Sequence, residues 1–358
     1  GGLVLRGADG AVRIFNHTAS VQFPKLPGGL LTKPTLVWDV ISQQPGTHRT
    51  KVGYQTGGVT WWTDYNLVYS DGKDANSCRL DVGAWVSILN QSGANYADAK
   101  LKLIAGDVHR APASAAAPMA SKRAMADMAL SAEEKGFAEK TFFEYHLYTL
   151  GRPTTLPDNS TKQIELFPVA RAVPCEKTLV YYGLAPGYRG FSPNPITDRN
   201  YGLDSNKKVD VYLGFKNASE NSMGIPLPSG GIRVSKLDSA DQSLEFIGED
   251  TIDHTPKNEK VLIKMGSAFD VVGERRQVDY QLDTKARTLT EEIEIKLRNH
   301  KAEPVTVIVK ENLYRWINWK LTSKTHDYEK ADSRTVHFPV KIAKDGEAVV
   351  KYRVQYSW

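Results

Sequence analysis

The side chains that could perform acid–base or metal chemistry are scattered along this chain of 358 residues. No two of its eight histidines lie at the i, i+4 spacing that places a pair of ligands on one helix face. There is no phosphate-binding glycine loop, no nucleophile elbow, no His-Glu-x-x-His and no Cys-x-x-Cys. A Ser-His-Asp triad leaves no local pattern, so an uncharacterised hydrolase stays as the lowest-ranked alternative. The sequence predicts no catalytic residue and no cofactor.

One acidic segment could supply oxygen ligands to a hard cation. Residues 248–254 carry Glu249, Asp250 and Asp253, and carboxylates are ligands that such cations prefer. The alternative is a solvated hairpin arm. A second acidic turn, around Asp71, lacks the alternating spacing of a calcium loop. We therefore expect no metal site.

The chain has two cysteines, Cys78 and Cys175. Two thiols define neither a metal site nor a disulfide framework, but one bond can form in an oxidising compartment. Either they form a single disulfide or they are two buried free thiols. The bond would stabilise the fold by about 4–5 kcal/mol in the chain-entropy model.

Aromatic side chains are the strongest candidates for binding. Trp61 and Trp62 are adjacent on a predicted strand, so their rings point to opposite faces, and one of them must lie in the core. Farther along, Tyr314 and Trp316 share one face and Arg315 takes the other. Tyr, Trp and Arg are enriched at interface anchors, and exposed rings also stack on sugars. Core packing, a protein interface and a glycan platform all remain open.

Alternation of apolar and charged residues predicts the elements that position these groups. In Glu292–Leu297 every second residue is apolar, and Val305, Val307 and Val309 repeat the pattern. This is typical of half-buried antiparallel strands. Further strands are predicted at 209–215, 232–237, 261–265 and 349–356. Turn signals recur between them, which favours an antiparallel β architecture over βαβ units.

Two irregular segments interrupt the strands. The Ala-rich stretch 111–140 carries Met119, Met125 and Met128, whose flexible side chains make adaptable apolar contacts. It is either a flexible insertion or a short helix that packs on a sandwich or on a neighbouring subunit.

The second irregular stretch, 184–208, is long for a loop in a compact domain. It carries Tyr188, Arg189, Phe191 and Tyr201. Both segments are candidate interfaces, although each could also pack on the molecule's own strands.

The fold class predicted is all-β, with two antiparallel β-sandwich domains and a short helical or irregular Ala-rich insertion. Residues 1–185 form the N-terminal sandwich with the insertion at 111–140. Residues 186–208 form a linker loop, and residues 209–358 form an Ig-like C-terminal sandwich. The length supports this division, because a domain usually takes roughly 100–200 residues.

Charge and hydropathy exclude some partners. The net charge of +5 is spread along the chain without a basic run, so no nucleic-acid partner is predicted. No apolar run approaches the roughly 20 residues of a membrane-spanning helix. The chain begins with Gly1 and Gly2, which fits a sequence that starts partway through a gene or a mature chain without its signal peptide.

Four tracts carry a family resemblance: VGYQTGGVTWWTDYNLVYS, LDVGAWVSILNQSGANYADAKLKLIAGDV, VDVYLGFKNASENSMGIPLPSGGIRVSKLD and FIGEDTIDHTPKNEKVLIKMGSAFDVVGERR. Together they resemble the domain of unknown function numbered 4139, found in bacterial mucoidy-inhibitor-like proteins. The resemblance covers most of the chain from about residue 50. It implies a secreted or envelope β-sandwich protein and brings no agreed activity and no catalytic residues.

The sequence therefore predicts a non-catalytic protein that is secreted, periplasmic or on the cell surface. It would act through contacts with proteins, including copies of itself, and self-assembly into a surface structure is one form of this. The alternative is a carbohydrate-binding module whose platform includes Trp61 or Trp62.

Overall fold

The structure is a computed structural model that describes residues 3–6, 10–15, 35, 37–106, 136–185 and 192–358. Regular structure in these residues is nearly all strand, and the exception is one turn of 3-10 helix at Ser219–Asn221. The predicted all-β class is confirmed. The Ala-rich segment lies mostly outside the described residues, apart from 136–140.

Twenty strands follow one another in the part of the chain that the structure describes. They are β1 (Leu3–Arg6), β2 (Val12–Phe15), β3 (Val59–Asp71), β4 (Ser77–Asn90), β5 (Tyr96–Ala99), β6 (Lys102–Ala105), β7 (Phe137–Phe142), β8 (Tyr145–Leu150), β9 (Thr154–Leu156), β10 (Ser160–Tyr181), β11 (Lys208–Lys216), β12 (Gly230–Leu237), β13 (Leu244–Ile252), β14 (Lys260–Asp283), β15 (Thr288–Asn299), β16 (Val305–Asn312), β17 (Trp319–Lys324), β18 (Glu329–Lys330), β19 (Thr335–Ile342) and β20 (Gly346–Ser357).

Thirteen of these strands belong to one large sheet. Ten of them follow the order β13-β12-β3-β4-β10-β11-β14-β15-β20-β17, and β16, β19 and β18 branch from β10. The sheet is mixed, because β12 pairs with β3 in parallel and β16 pairs with β10 in parallel. A purely antiparallel sheet was predicted. The parallel pairs arise because β12 and β16 join strands that are distant in sequence, whereas alternation within a strand does not reveal its neighbour.

The first buried core lies on one face of β13, β12, β3, β4 and β10, and it extends onto β11 and β14. Alternate residues of β4 point into it, from Leu80 through Val82, Ala84 and Val86 to Ile88. The small sheet β6-β8-β7 adds buried side chains such as Leu103, Tyr148 and Leu150.

The second buried core is sandwich-like. The ladder β10-β16-β19 supplies one set of buried side chains, and β15 and β20 supply the other. The predicted burial of Ile293, Ile295, Leu297, Val305, Val307 and Val309 is confirmed, since each is at most 4% exposed. Strict alternation turns the three residues of each strand inward. The two strands do not pair with each other, as the repeated pattern suggested: β15 lies between β14 and β20, β16 lies between β10 and β19, and their residues meet across the core.

The two cores do not divide at residues 186–208. Leu213, Ile232 and Ile263 belong to the first core although they follow that loop, and Ala75 belongs to the second core although it precedes it. The reason is the length of β10 and β14, which have 22 and 24 residues and continue from one core into the other. The change from the first core to the second therefore falls within β10 and β14, where the composition of a loop gives no signal.

Cys78 and Cys175 are joined by a disulfide, with their Cα atoms 4.9 Å apart. They lie directly opposite one another on β4 and β10. Close to this bond, the Asn76 side chain donates to the carbonyl of Lys177 at 3.0 Å and accepts from the backbone N–H of Thr306 at 3.4 Å. The β3–β4 turn is thereby fixed to the strands of the second core.

Candidate binding surfaces

The predicted anchors in the tract 314–316 pack inside the molecule. Tyr314 is 3% exposed, and its hydroxyl donates to the carbonyl of Tyr201 at 2.9 Å. The two tyrosine rings are also in contact, with centroids 5.6 Å apart. Trp316 is half-buried against the second core. Tyr314 is therefore a core residue covered by Tyr201 and not an exposed interface anchor, whereas an interface role for the half-buried Trp316 stays a prediction.

A buried ion pair explains why this tract lies inside. The Nε of Arg315 donates to Oε2 of Glu291 at 2.8 Å, and both side chains are 1% exposed. The guanidinium also donates to the backbone carbonyls of Ile196 at 3.1 Å and Asp198 at 2.8 Å. Burial is the largest single effect and lowers the pKa of Arg315, but Glu291, Tyr314 and Tyr356 together raise this pKa above its usual value. Arg315 thus holds the loop after residue 192 against the second core.

A second buried pair, between Arg275 and Glu311, lies beside the first. Nε of Arg275 donates to Oε2 of Glu311 at 2.9 Å, and the Tyr352 hydroxyl donates to the same oxygen. Arg275 also donates to the carbonyl of Gly202 at 3.3 Å. Burial is the largest single effect and lowers the pKa of Arg275, but Glu311, Tyr352, Tyr314 and Glu291 together raise the pKa of this guanidinium well above its usual range.

Four carbonyls of the segment 196–202 are therefore held by the two buried arginines. This described part of the 184–208 stretch finds its partners within the chain, which is one of the two outcomes considered for it. Of these four residues only Arg315 was named from the sequence, as part of an aromatic tract and not as a buried charge. Glu291 and Glu311 each occupy an inward position of an apolar alternation, which was a usable signal. The predicted interface residues Tyr188, Arg189, Phe191, Met119, Met125 and Met128 lie outside the described residues.

The two adjacent tryptophans lie on opposite faces of the sheet, as expected for neighbouring residues of a strand. Trp61 packs against the first core, whereas Trp62 faces outward and is 39% exposed. Trp62 lies opposite Ser87 on β4, and Trp85 follows two residues away on the same outer face. Trp85 is 36% exposed. Trp85 could not be identified from the sequence as a platform candidate, because only the pairing of β3 with β4 brings it near Trp62.

Fixed polar groups lie between the two rings. Ser87 is fully buried although it is on the outer face, and its hydroxyl donates to Oδ2 of Asp64 at 2.9 Å. Gln163 donates to the same hydroxyl at 3.1 Å. These bonds hold the Asp64 carboxylate in one position beside Trp85, its partner on β4.

A shallow cavity of about 280 Å³ continues this surface across β12 and β13. Gly231 is one of its lining residues, and a Cβ at this position would meet no atom within 4 Å. Among its lining residues are Asn66, Arg233 and Glu249. We refer to Trp62, Trp85, Asp64 and this cavity as the tryptophan face.

A different surface lies at the end of the sheet, on the hairpin of residues 237–250, which we call the acidic hairpin. It carries Asp238, Asp241, Glu245, Glu249 and Asp250 and no Lys or Arg. Backbone and hydroxyl hydrogen bonds from Ser243 lower the pKa of Asp241, which keeps this carboxylate charged.

Large apolar side chains are exposed on the same hairpin. Leu237 is 43% exposed, Leu244 57% and Phe246 61%. Leu237 and Leu244 are opposite one another in the register, and Phe246 alternates with Leu244, so all three lie on one face. A cluster of exposed apolar residues with a polar rim is typical of an interaction site.

No group of three or more His, Cys, Asp or Glu within the described ranges could hold a metal ion. Among the helices of the described residues, none has the length and apolar character needed to cross a membrane. No family model matches this chain, and no curated protein matches it at a significant level of similarity. The family resemblance of the four tracts therefore stays a prediction.

Proposed function

We propose that this chain is a non-catalytic envelope or extracellular protein that acts through protein–protein contacts and associates with itself through the acidic hairpin. The observation that carries the proposal is the exposure of Leu244 and Phe246 on one face of an edge strand. An edge strand with exposed apolar side chains is a site at which another chain can dock.

The disulfide between Cys78 and Cys175 supports the proposed location. Such bonds persist in secreted, periplasmic and surface proteins and are rare in the reducing cytosol. The arrangement of charges supports the non-catalytic assignment. Among the described residues, the buried arginine and glutamate side chains, Arg275, Glu311, Arg315 and Glu291, pair with one another and with loop carbonyls. Their role is therefore structural.

Sedimentation velocity over a range of protein concentrations tests the proposal. We expect the wild type to form larger species as concentration rises, and the Leu244→Ser/Phe246→Ser variant to weaken this association at least about tenfold. The matched control is Leu262→Ser/Phe269→Ser, which removes a leucine and a phenylalanine that are 53% and 96% exposed elsewhere. The control should associate like the wild type. A wild type that stays monomeric throughout, or a control that fails equally, refutes the proposal.

Binding of a glycan on the tryptophan face is a second candidate function. It is favoured by two exposed indole rings beside a carboxylate that hydrogen bonds hold in place, next to an open cavity. Stacking on a flat ring and hydrogen bonds from fixed polar groups are what a sugar ring requires.

Calorimetric titration with cello- and chito-oligosaccharides tests this candidate. We expect binding that is lost in Trp62→Ala/Trp85→Ala and kept in Trp38→Ala, since Trp38 is 57% exposed in a different part of the chain. If neither oligosaccharide series binds the wild type, or if the double variant binds as well as the wild type, the tryptophan face does not bind these glycans.

A further inference from the structure

The far end of the large sheet carries a surface whose charge is opposite to that of the acidic hairpin. In the strand order, β13 is the first strand and β17 the last, and each has a ladder partner on one side only. The edge at β17 carries Lys320, and Lys330 lies close to it. We call Ile317–Lys320 with Lys330 the basic edge.

The two lysines are available for a partner. Lys320 and Lys330 are exposed, and neither forms an ion pair within the described residues. Nζ of Lys330 lies 5.0 Å from the centroid of the Trp319 ring, which keeps the ammonium group beside the edge. No carboxylate lines the cavity between these side chains.

The basic edge also has an open, mostly polar recess with two apolar side chains, Ile317 and Trp319. A cavity of about 310 Å³ is lined by Ile317, Trp319, both lysines, Asn318, Gln355 and Ser357. Ile317 is 54% exposed at its rim. A side chain such as Phe246 could contact Ile317 and Trp319 while Asp241 and Glu245 approach the ammonium groups.

We propose that the partner of the acidic hairpin is the basic edge of a second copy of this chain. Opposite charges at the two surfaces favour this pairing and disfavour hairpin against hairpin, because like charges would then face one another. This inference rests on the proposed self-association and names its second surface.

The arrangement has a consequence for assembly. Because the hairpin and the basic edge are different surfaces, the contact is heterologous. Each added copy presents a free hairpin or a free basic edge to the next, so growth continues unless the rotation between copies closes a ring. This provides a physical route to the surface structure expected from the sequence.

Two complementary variants test the inference. Variant A, Leu244→Ser/Phe246→Ser, damages the hairpin and keeps the basic edge. Variant B, Lys320→Glu/Lys330→Glu, reverses the charge of the edge and keeps the hairpin. We expect each alone to be monomeric and an equimolar mixture to form a one-to-one dimer, because the intact hairpin of B can bind the intact edge of A.

The control for variant B is Lys285→Glu/Lys344→Glu, which makes the same change in net charge at two exposed lysines elsewhere. It should associate like the wild type. Raising the salt concentration should weaken wild-type association, since exposed charges are screened beyond roughly 10 Å at 0.1 M.

The outcomes separate this inference from the proposed function. If B associates like the wild type, or if the mixture stays monomeric, the basic edge is not the partner although the hairpin can still mediate association. If the wild type itself is monomeric, the proposed function fails and this inference with it. Circular dichroism of each variant shows whether it is folded.

Discussion

Nε of Arg315 lies 2.8 Å from Oε2 of Glu291, and both side chains are almost completely removed from water. The same carboxylate also accepts a hydrogen bond from Gln277 at 3.0 Å. The pair joins β15 to the tract after β16, and Arg315 also holds the carbonyls of Ile196 and Asp198.

Replacing Glu291 by Gln should therefore destabilise the fold strongly. The guanidinium of Arg315 would remain buried without its counter-charge, which typically costs about 3–5 kcal/mol. Denaturant unfolding measures the loss. The control is Glu347→Gln, whose exposed pair with Lys296 has a separation of 3.2 Å and should contribute at most about 1 kcal/mol. Equal losses in the two variants would show that the buried pair is not structural.

The disulfide gives a second prediction. Replacing Cys78 and Cys175 together by Ala should lower the free energy of unfolding by about 4–5 kcal/mol, because the bond closes a loop with a sequence separation of 97 residues. Thiol titration of the unfolded, unreduced wild type should find no reactive thiol. Two reactive thiols in that experiment would contradict the bond.

The second core gives a third prediction. Ile295 is 0% exposed on β15, so replacing it by Ala should cost about 2–5 kcal/mol. Its neighbour Lys296 faces the other side, and Lys296→Ala should change stability by no more than about 0.5–1 kcal/mol. A loss under about 0.5 kcal/mol for Ile295→Ala would mean that the register of β15 is misread.

The buried Tyr181 and the half-buried Tyr212 predict loss of stability at alkaline pH. Burial raises the pKa of Tyr181 to about 12, and burial is also the main cause that raises the pKa of Tyr212 to about 12. The unfolded phenol titrates near about 10. The stability due to the neutral phenols is fully present below about pH 10 and is lost as pH rises toward about 12.

Phenolate absorbance as a function of pH measures this effect. In the folded protein part of the tyrosine signal should appear only well above pH 10, together with loss of circular dichroism, whereas the denatured chain should titrate in one step near about 10. If all tyrosines of the folded protein ionise in that single step, the phenols are not buried as described.

The strands of the second core could be predicted from the sequence because burial on one face imposes a period of two residues. Glu292–Leu297 shows this period clearly, and the structure buries the same residues that alternation selects. The separation of Trp61 from Trp62 follows from the same geometry, since adjacent residues of a strand face opposite sides. Such features depend only on local chain geometry.

Other features depend on which strands become neighbours, and local sequence does not encode this. The parallel pairing of β3 with β12, the approach of Trp85 to Trp62 and the meeting of Arg315 with Glu291 all join positions distant in the chain. Tyr314 was an interface candidate by residue type, yet it lies inside the molecule, where its ring packs against the buried guanidinium of Arg315. The sequence determined the all-β class and the inward faces of its strands. The tertiary structure decided which polar residues are buried in pairs and which apolar residues stay exposed, because both depend on contacts between distant segments.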